Sequence, residues 1–241
     1  MIDFNGAKIS LTDLGAMVAR SEYAFDMLKK EYSTSYEGFV ELVYDNIDRA
    51  FGKLEENPQH HSPEEVGEDK ITNSIADMLV MAGLDARQGQ TQGGNIDLTV
   101  KGKKSGWSWI GEAKIFRDTN ALREGFLQLS TRYRNASPLN TQAGILAYTK
   151  RKNAAGCLAE WQAEVANMGL DGFSISPCSR RGQLAFYTIH NHEASGLPIK
   201  VRHTAIVLYH LPKDKSGLSA QKYHDAHVVE GNIPVTAEQK P

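Results

Sequence analysis

The pattern of hydrophobic and polar positions predicts helices in the first third of the chain and a mixture of strands and helices after it. Apolar residues recur at three- and four-residue steps, as in amphipathic helices, over 11–31, 36–56, 63–83, 120–135 and 153–168. Alternating residues and short apolar runs predict strands over 84–92, 96–100, 107–114, 143–148, 183–190 and 200–210. This order of elements predicts an α/β fold.

Changes in composition divide the chain into three parts. Residues 1–60 are predicted to form a helical N-terminal appendage, which either packs on its own core or serves as a docking or dimerisation surface. Residues 61–212 are predicted to form the core. The segment 57–63, which is rich in residues that end helices and strands, links it to the first part. Residues 213–241 are rich in Lys, Ser, Gly, Gln and Pro, which predicts a loosely ordered tail.

A predicted β-hairpin over 93–114 carries three charged residues that strands usually avoid. They are Asp97 on its first strand and Glu112 and Lys114 on its second. Because side chains alternate along a strand, Glu112 and Lys114 point to one face, and antiparallel pairing brings Asp97 opposite them. Two carboxylates and an ammonium suit a divalent cation such as Mg²⁺ and the activation of a water molecule. The alternative is a hairpin whose charges lie on a solvated outer face.

The spacing of Asp97 from Glu112-Ala113-Lys114 resembles the core of the PD-(D/E)XK nuclease superfamily, although Ile96 stands where the motif has Pro. The resemblance covers about residues 63–170, and the predicted elements follow the α-β-β-β-α-β order of that family. It implies a three-layer restriction-endonuclease-like core, in which helices flank a mixed central sheet, with the N-terminal helical appendage outside it.

The resemblance also implies roles for individual residues. Asp97 and Glu112 would hold Mg²⁺, for which Mn²⁺ can substitute, and Lys114 would position the attacking water. The preceding helix would add Glu68, with Glu65 as the second choice, unless both only favour the helix start. Gln128 would contact the site or a phosphate; it lies five residues before Tyr133, whereas the related motif has a spacing of four.

The net charge of −2 conceals a strong asymmetry along the chain. Residues 1–70 carry 7 Lys/Arg against 15 Asp/Glu, and residues 101–152 carry 11 against 3. A basic segment around the predicted site suits a polyanion, since Lys and Arg supply most sequence-independent affinity for nucleic acid. The candidate phosphate contacts are Lys101, Lys103, Lys104, Arg132, Arg134, Lys150, Arg151 and Lys152; alternatively, these charges are scattered over a solvated surface.

Several other classes of protein lack support in the sequence. No apolar run approaches the roughly 18 residues of a membrane helix, and the first residues do not resemble a signal peptide. The sequence therefore predicts a cytoplasmic protein without membrane contact. Two cysteines exclude a disulfide framework, and the histidines are not spaced as a zinc ligand set. No Walker A motif, dinucleotide fingerprint or nucleophile elbow is present.

These observations together predict an Mg²⁺-dependent DNA endonuclease. The resemblance further implies the nuclease component of a restriction or anti-phage defence system, controlled by a partner such as an ATPase and able to form a homo-oligomer. One alternative is a catalytically weak nucleic-acid-binding or assembly module on the same fold. Another is a small-molecule enzyme on an unrelated α/β fold.

Overall fold

The computed structural model describes residues 2–4, 7–21, 24, 33, 35–91, 95–104, 106–131 and 139–214. The helices are α1 (Leu11–Ala19), α2 (Tyr36–Glu56), α3 (Glu68–Met81), α4 (Thr119–Thr131) and α5 (Ala154–Ala166). The strands are β1 (Ile2–Phe4), β2 (Ala7–Ile9), β3 (Asp85–Thr91), β4 (Asn95–Lys101), β5 (Ser108–Ile115), β6 (Gln142–Thr149), β7 (Ser174–Pro177), β8 (Ala185–Asn191) and β9 (Pro198–Val207).

Seven of these strands form one mixed sheet in the order β3-β4-β5-β6-β9-β8-β7. Strands β5, β6 and β9 are parallel, and β3, β4, β8 and β7 extend the sheet on both sides through antiparallel pairs. Strands β1 and β2 form a separate antiparallel pair. The α/β prediction is therefore confirmed, with a seven-stranded mixed sheet.

Helices cover both faces of the sheet. Apolar residues of α2 and α3 share one core cluster with residues of β4, β5 and β6 such as Leu98, Trp109 and Leu146. Residues of α4 and α5, including Phe126 and Trp161, form a second cluster with inward residues of β5, β6 and β9. Strands β5 and β6 supply both clusters because their side chains alternate between the two faces. This arrangement is compatible with a three-layer core.

Helix α2 packs into this core, which is the first of the two alternatives considered for the helices of residues 1–60. Val40, Val43 and Phe51 are fully buried in the cluster under the sheet. The N-cap is Ser35, whose side chain accepts a hydrogen bond from the Gly38 N–H, as expected for a helix start. A long amphipathic stripe is buried wherever an apolar sheet face lies beside it, whatever its position in the sequence.

Most of the predicted elements are confirmed, with two local differences. The helix expected to begin near Ser62 begins at Glu68, because residues 62–66 form turns before Gly67. Strands β1, β2 and β7 were not predicted; each has only three or four residues, too few to show an alternation. Most of residues 20–31, the second half of the helix predicted over 11–31, and residues 215–241 of the predicted tail lie outside the described residues.

Four carboxylates of α2 are paired within the protein. Arg202 of β9 donates from Nη2 to both oxygens of Asp48, at 2.9 and 3.0 Å. Three more ion pairs join the segment before β8 to this helix: Arg180 with Glu41, Arg180 with Asp45, and Arg181 with Glu55. Part of the negative charge of residues 1–70 therefore pairs with arginines of the same protein. Within the described part of the chain, no helix has the length and apolar character needed to cross a membrane.

Two buried histidines near α4 and α5 are neutral in the folded protein. Trp161 donates from Nε1 to Nδ1 of His203 at 2.9 Å, so Nε2 carries the proton and donates to the Thr188 hydroxyl. Burial lowers the pKa of His203 to about 3. Burial also lowers the pKa of His190 to about 4, and neither of its ring nitrogens has a partner among the described residues.

We expect these histidines to make the protein sensitive to acid. In the unfolded chain they take up protons below their ordinary pKa of about 6.5, so the free energy of unfolding falls as pH decreases from about 6.5 toward 4. The His190→Leu variant lacks one of these titrating groups. Its free energy of unfolding should therefore depend less steeply on pH in this range, by about 1.4 kcal/mol per pH unit. The measurement is urea unfolding of both proteins between pH 4.5 and 7. Parallel pH profiles for the two would contradict a neutral His190.

Candidate functional site

Three elements bring charged side chains together beside the parallel part of the sheet. Strand β4 supplies Asp97, strand β5 supplies Glu112 and Lys114, and α3 supplies Glu68 as its first residue. We call these four residues the carboxylate–lysine cluster. The structure therefore brings together the predicted metal-site residues. Glu65, the second choice, is exposed in the turn before α3.

Backbone groups of β5 hold two of these carboxylates in place. The pairing of β4 with β5 ends at Leu98 opposite Gly111, which leaves later N–H groups of β5 without a strand partner on that side. The Ala113 N–H donates to Asp97 Oδ2 at 2.8 Å, and the Ile115 N–H donates to Glu68 Oε2 at 2.8 Å. Alternate N–H groups of a strand point to the same side, so both carboxylates line this side of β5.

The ammonium of Lys114 lies between the three carboxylates. Its Nζ is 2.6 Å from Glu112 Oε1 and 3.5 Å from both Glu68 Oε1 and Asp97 Oδ2. The same Nζ donates to the Ala113 carbonyl at 3.0 Å. One ammonium thus faces three carboxyl groups, which gives the cluster a preference for additional positive charge.

The protonation of the cluster reflects this imbalance. Burial raises the pKa of Glu112 to about 7, and the charge of Asp97 adds to the rise, although Lys114 donates to it. Burial also raises the pKa of Glu68. Burial opposes the charge on Lys114, but its hydrogen bond to Glu112 and the nearby carboxylates outweigh this and raise the pKa of the ammonium. Lys114 is therefore fully charged at neutral pH.

Helix α4 packs directly over the cluster through Gly125. A Cβ at this position would lie 3.1 Å from Cγ of both Glu112 and Lys114, so any larger residue would require these side chains to shift. Gln128 lies one turn further along, on the same side of the helix. Its Oε1 is buried and has no partner among the described residues. The structure therefore places the predicted Gln128 on the helix face that covers the site.

The donor set fits a hard divalent cation, but the side chains are not arranged around one. Carboxylate oxygens are preferred ligands of Mg²⁺, and the buried Glu112 Oε2 has no partner among the described residues. Over these residues, however, no three His, Cys, Asp or Glu side chains form a group that could hold a metal ion. The Lys114 ammonium instead lies between the three carboxylates, within 3.5 Å of each. A cation held by Asp97 and Glu112 requires that ammonium to move.

The predicted phosphate contacts fall into two groups. Lys101, Lys103 and Lys104 lie at the turn end of the hairpin, about 20 Å along β5 from Lys114. There they line a cavity of about 300 Å³ together with Phe39 and Trp107. This group is remote from the cluster.

The second group lies at the end of β6, near the cluster. Arg151 donates to the Arg117 carbonyl at 3.0 Å and Lys152 is exposed beside it, so these basic residues continue directly from β5 and β6. Lys150 instead donates to the carbonyls of Pro63 and Val66. Arg132, Tyr133 and Arg134 lie outside the described residues.

Three residues at the site were not predicted from the sequence. Gly125 contacts Glu112 and Lys114, and Thr72 and Tyr148 join α3 to β6 through a hydrogen bond of 2.9 Å. The sequence does carry a signal for Gly125. A glycine inside a helix, here three residues before Gln128, usually permits another part of the protein to approach closely. Thr72 and Tyr148 look like ordinary core residues in the sequence.

Comparison with known proteins adds no relative, because no protein-family model, curated protein or solved structure matches this chain. Any assignment of function therefore depends on the residues and geometry of the carboxylate–lysine cluster.

Proposed function

We propose that this protein is an Mg²⁺-dependent DNA endonuclease that hydrolyses phosphodiester bonds at the carboxylate–lysine cluster. The observation that carries the proposal is the convergence of Glu68, Asp97 and Glu112, from three different elements, on the ammonium of Lys114. Lys114 lies 46 positions after Glu68 and 17 positions after Asp97 in the chain, so distant segments meet at this site. Like charges gathered at one place cost stability, so they are maintained where a function needs them.

The topology supports assignment to the restriction-endonuclease-like fold. Helix α3 precedes three antiparallel strands, β3, β4 and β5, and α4 then crosses to β6, which is parallel to β5. This is the α-β-β-β-α-β order implied by the resemblance of Asp97 and Glu112-Ala113-Lys114 to the PD-(D/E)XK superfamily. The resemblance implies catalytic residues at the positions of this cluster, on β4, β5 and the helix that precedes β3.

Each residue of the cluster has a role in this chemistry. Mg²⁺ held by Asp97, Glu112 and Glu68 would polarise a phosphate oxygen and lower the pKa of a bound water. Because Lys114 is charged at neutral pH, it acts as a hydrogen-bond donor that orients the attacking water and stabilises charge developing on the phosphate. Gln128, above the cluster, has a free carbonyl oxygen in the described structure with which to orient that water.

The surface beside the cluster suits a DNA backbone. Arg117, Arg151 and Lys152 follow the carboxyl ends of β5 and β6, the edge at which α/β sheets usually bind ligands. Their charges would pair with phosphates on either side of the bond to be cut. A place in restriction or anti-phage defence, with an ATPase or a second copy as partner, is part of the proposal, and copurification tests it.

The test is cleavage of supercoiled and linear plasmid DNA with Mg²⁺, Mn²⁺ or EDTA. We expect the wild-type protein to cut with either metal and to be inactive in EDTA. In Asp97→Asn the amide oxygen still accepts from the Ala113 N–H, but one negative charge of the metal site is lost. We expect this variant to need about 100-fold more Mg²⁺ for half-maximal cleavage, in line with the steep dependence of affinity on ligand charge.

Asp85→Asn is the matched control, because Asp85 is an exposed residue at the start of β3 whose side chain pairs only with Arg87 among the described contacts. Equal cleavage by the wild type, Asp97→Asn and Asp85→Asn would show that the cluster takes no part in the reaction. DNA binding by the wild-type protein without cleavage under any metal would instead favour a binding or assembly module.

A further inference from the structure

The end of strand β6 holds the first turn of α3 through buried hydrogen bonds. The Thr72 hydroxyl donates to the Glu68 carbonyl at 2.9 Å and lies 2.9 Å from the Tyr148 hydroxyl. Thr72 has one hydroxyl proton, which the Glu68 carbonyl accepts, so Tyr148 must be the donor in the second bond. Thr72 and Tyr148 are almost fully buried. A continuous chain of hydrogen bonds therefore runs from β6 to the backbone of Glu68.

Lys150 holds the segment just before the same turn. Its Nζ donates to the Val66 carbonyl at 2.6 Å and to the Pro63 carbonyl at 2.8 Å. Lys150 follows the end of β6, and its ammonium contacts the segment just before the helix turn that Tyr148 reaches through Thr72. We call Thr72, Tyr148 and Lys150 the helix clamp. It contacts the chain on both sides of Glu68.

The start of α3 has no side-chain cap, so contacts from other elements help to hold it in place. Its N-cap is Gly67, which makes no side-chain capping hydrogen bond. Helix ends without a cap fray easily, since their first N–H groups lack partners. Glu68 is the first residue of the helix, and the Oε2 that accepts from Ile115 reaches β5 only while the turn stays in place.

We propose that Thr72, Tyr148 and Lys150 are positioning residues that hold Glu68 in the carboxylate–lysine cluster and thereby set its affinity for the divalent cation. This inference rests on the proposed nuclease function and adds to it three residues outside the cluster. It also assigns Lys150 a role different from contact with DNA phosphate. Outer groups that orient a metal ligand typically change metal affinity by about 10- to 100-fold when they are removed.

The test compares Thr72→Val with Thr72→Ser. Valine keeps the shape of threonine but cannot hydrogen-bond to Glu68 or Tyr148, whereas serine keeps the hydroxyl. We expect Thr72→Val to weaken Mg²⁺ binding about 10-fold by calorimetry, to raise the Mg²⁺ concentration for half-maximal cleavage equally, and to leave the rate at saturating Mg²⁺ within about twofold. Thr72→Ser should remain close to wild type.

Ser74→Ala is the matched control on the same helix. The Ser74 hydroxyl also donates to a carbonyl four residues earlier, that of Lys70, but it is not joined to β6. Its removal should leave Mg²⁺ affinity unchanged. If Thr72→Val does not fold, Tyr148→Phe decides, because it removes only the hydroxyl that donates to Thr72. Tyr148→Phe should then weaken Mg²⁺ binding in the same direction.

Lys150→Met separates clamping from phosphate contact. A clamp residue weakens Mg²⁺ binding in the absence of DNA, whereas a phosphate contact reduces the salt dependence of DNA binding by about one unit of slope and leaves Mg²⁺ affinity unchanged. We expect the first result. The second would overturn the assignment of Lys150.

Two failures can be told apart. A wild-type protein that neither binds Mg²⁺ nor cleaves DNA overturns the proposed function and this inference with it. A wild-type protein that binds Mg²⁺ and cleaves, together with unchanged Mg²⁺ affinity in Thr72→Val and Tyr148→Phe, overturns the inference alone.

Discussion

Lys114→Met should lower the rate of DNA cleavage at saturating Mg²⁺ by about 10³-fold, within the range measured when one donor that stabilises transition-state charge is removed. Methionine matches the length of the aliphatic chain, so packing against Gly125 is preserved. The ammonium is lost, and with it the donor that lies 2.6 Å from Glu112 and orients the water. Single-turnover cleavage of a labelled duplex measures this rate.

The same variant should bind Mg²⁺ at least as tightly as the wild type. In the metal-free protein the Lys114 ammonium neutralises part of the charge of Glu68, Asp97 and Glu112 and occupies the space between them. Its removal leaves three carboxylates that attract another cation. Calorimetry measures this affinity, and DNA binding should stay within about twofold because the basic residues at the strand ends are retained.

Lys53→Met is the control for Lys114→Met, because among the described residues Lys53 forms an ion pair only with Glu56, three residues away, and that pair is exposed. It should leave the cleavage rate unchanged. If Lys114→Met retains the wild-type rate, Lys114 is a structural ion-pair residue and the catalytic role proposed for it is wrong. A loss of Mg²⁺ affinity in parallel with rate would place Lys114 in metal binding instead.

Arg202→Met should reduce the free energy of unfolding by about 3–5 kcal/mol, the range for breaking one side of a buried ion pair. Arg202 is 2% exposed, pairs with Asp48 through both carboxylate oxygens, and places its guanidinium 4.9 Å from the centre of the Tyr44 ring. Burial already raises the pKa of Asp48 despite the neighbouring Arg202. Without Arg202 this partly buried carboxylate loses its ion-pair partner. Urea unfolding at pH 7 measures the change.

Two further variants test the cause of that loss. Arg123→Met removes an arginine from a pair with Glu164 in which both side chains are substantially exposed, and it should cost less than about 1 kcal/mol. The double variant Asp48→Leu/Arg202→Met should be more stable than Arg202→Met alone, because no unpaired charge remains. Equal losses in Arg202→Met and Arg123→Met would show that burial of the pair does not determine its strength.

Local periodicity accounts for most of what was predicted correctly. The helices over 36–56 and 153–168 and the strands over 84–92 and 143–148 are present within a few residues of their predicted bounds. Helix and strand periods are local properties, and burial of one face follows from them without knowledge of the rest of the fold. The same reasoning placed Glu112 and Lys114 on one face of β5, and the structure confirms it.

Contacts between distant segments account for what was missed. Lys150 reaches carbonyls 84 and 87 residues earlier, and Arg202 reaches a carboxylate 154 residues earlier. A lysine beside a predicted strand looks the same in the sequence whether it contacts a phosphate or a backbone carbonyl. An acidic helix likewise looks the same whether its charges face solvent or buried arginines.

The sequence by itself determined the α/β class, the hairpin and the two strands that carry Asp97, Glu112 and Lys114, because alternation along a strand fixes which side chains share a face. Only the tertiary structure decided that Glu68 and not Glu65 joins them, since α3 begins six residues after Ser62. It also decided that Lys114 lies among three carboxylates and that β6 holds the start of α3. These features depend on how separate elements pack against one another, which no local pattern encodes.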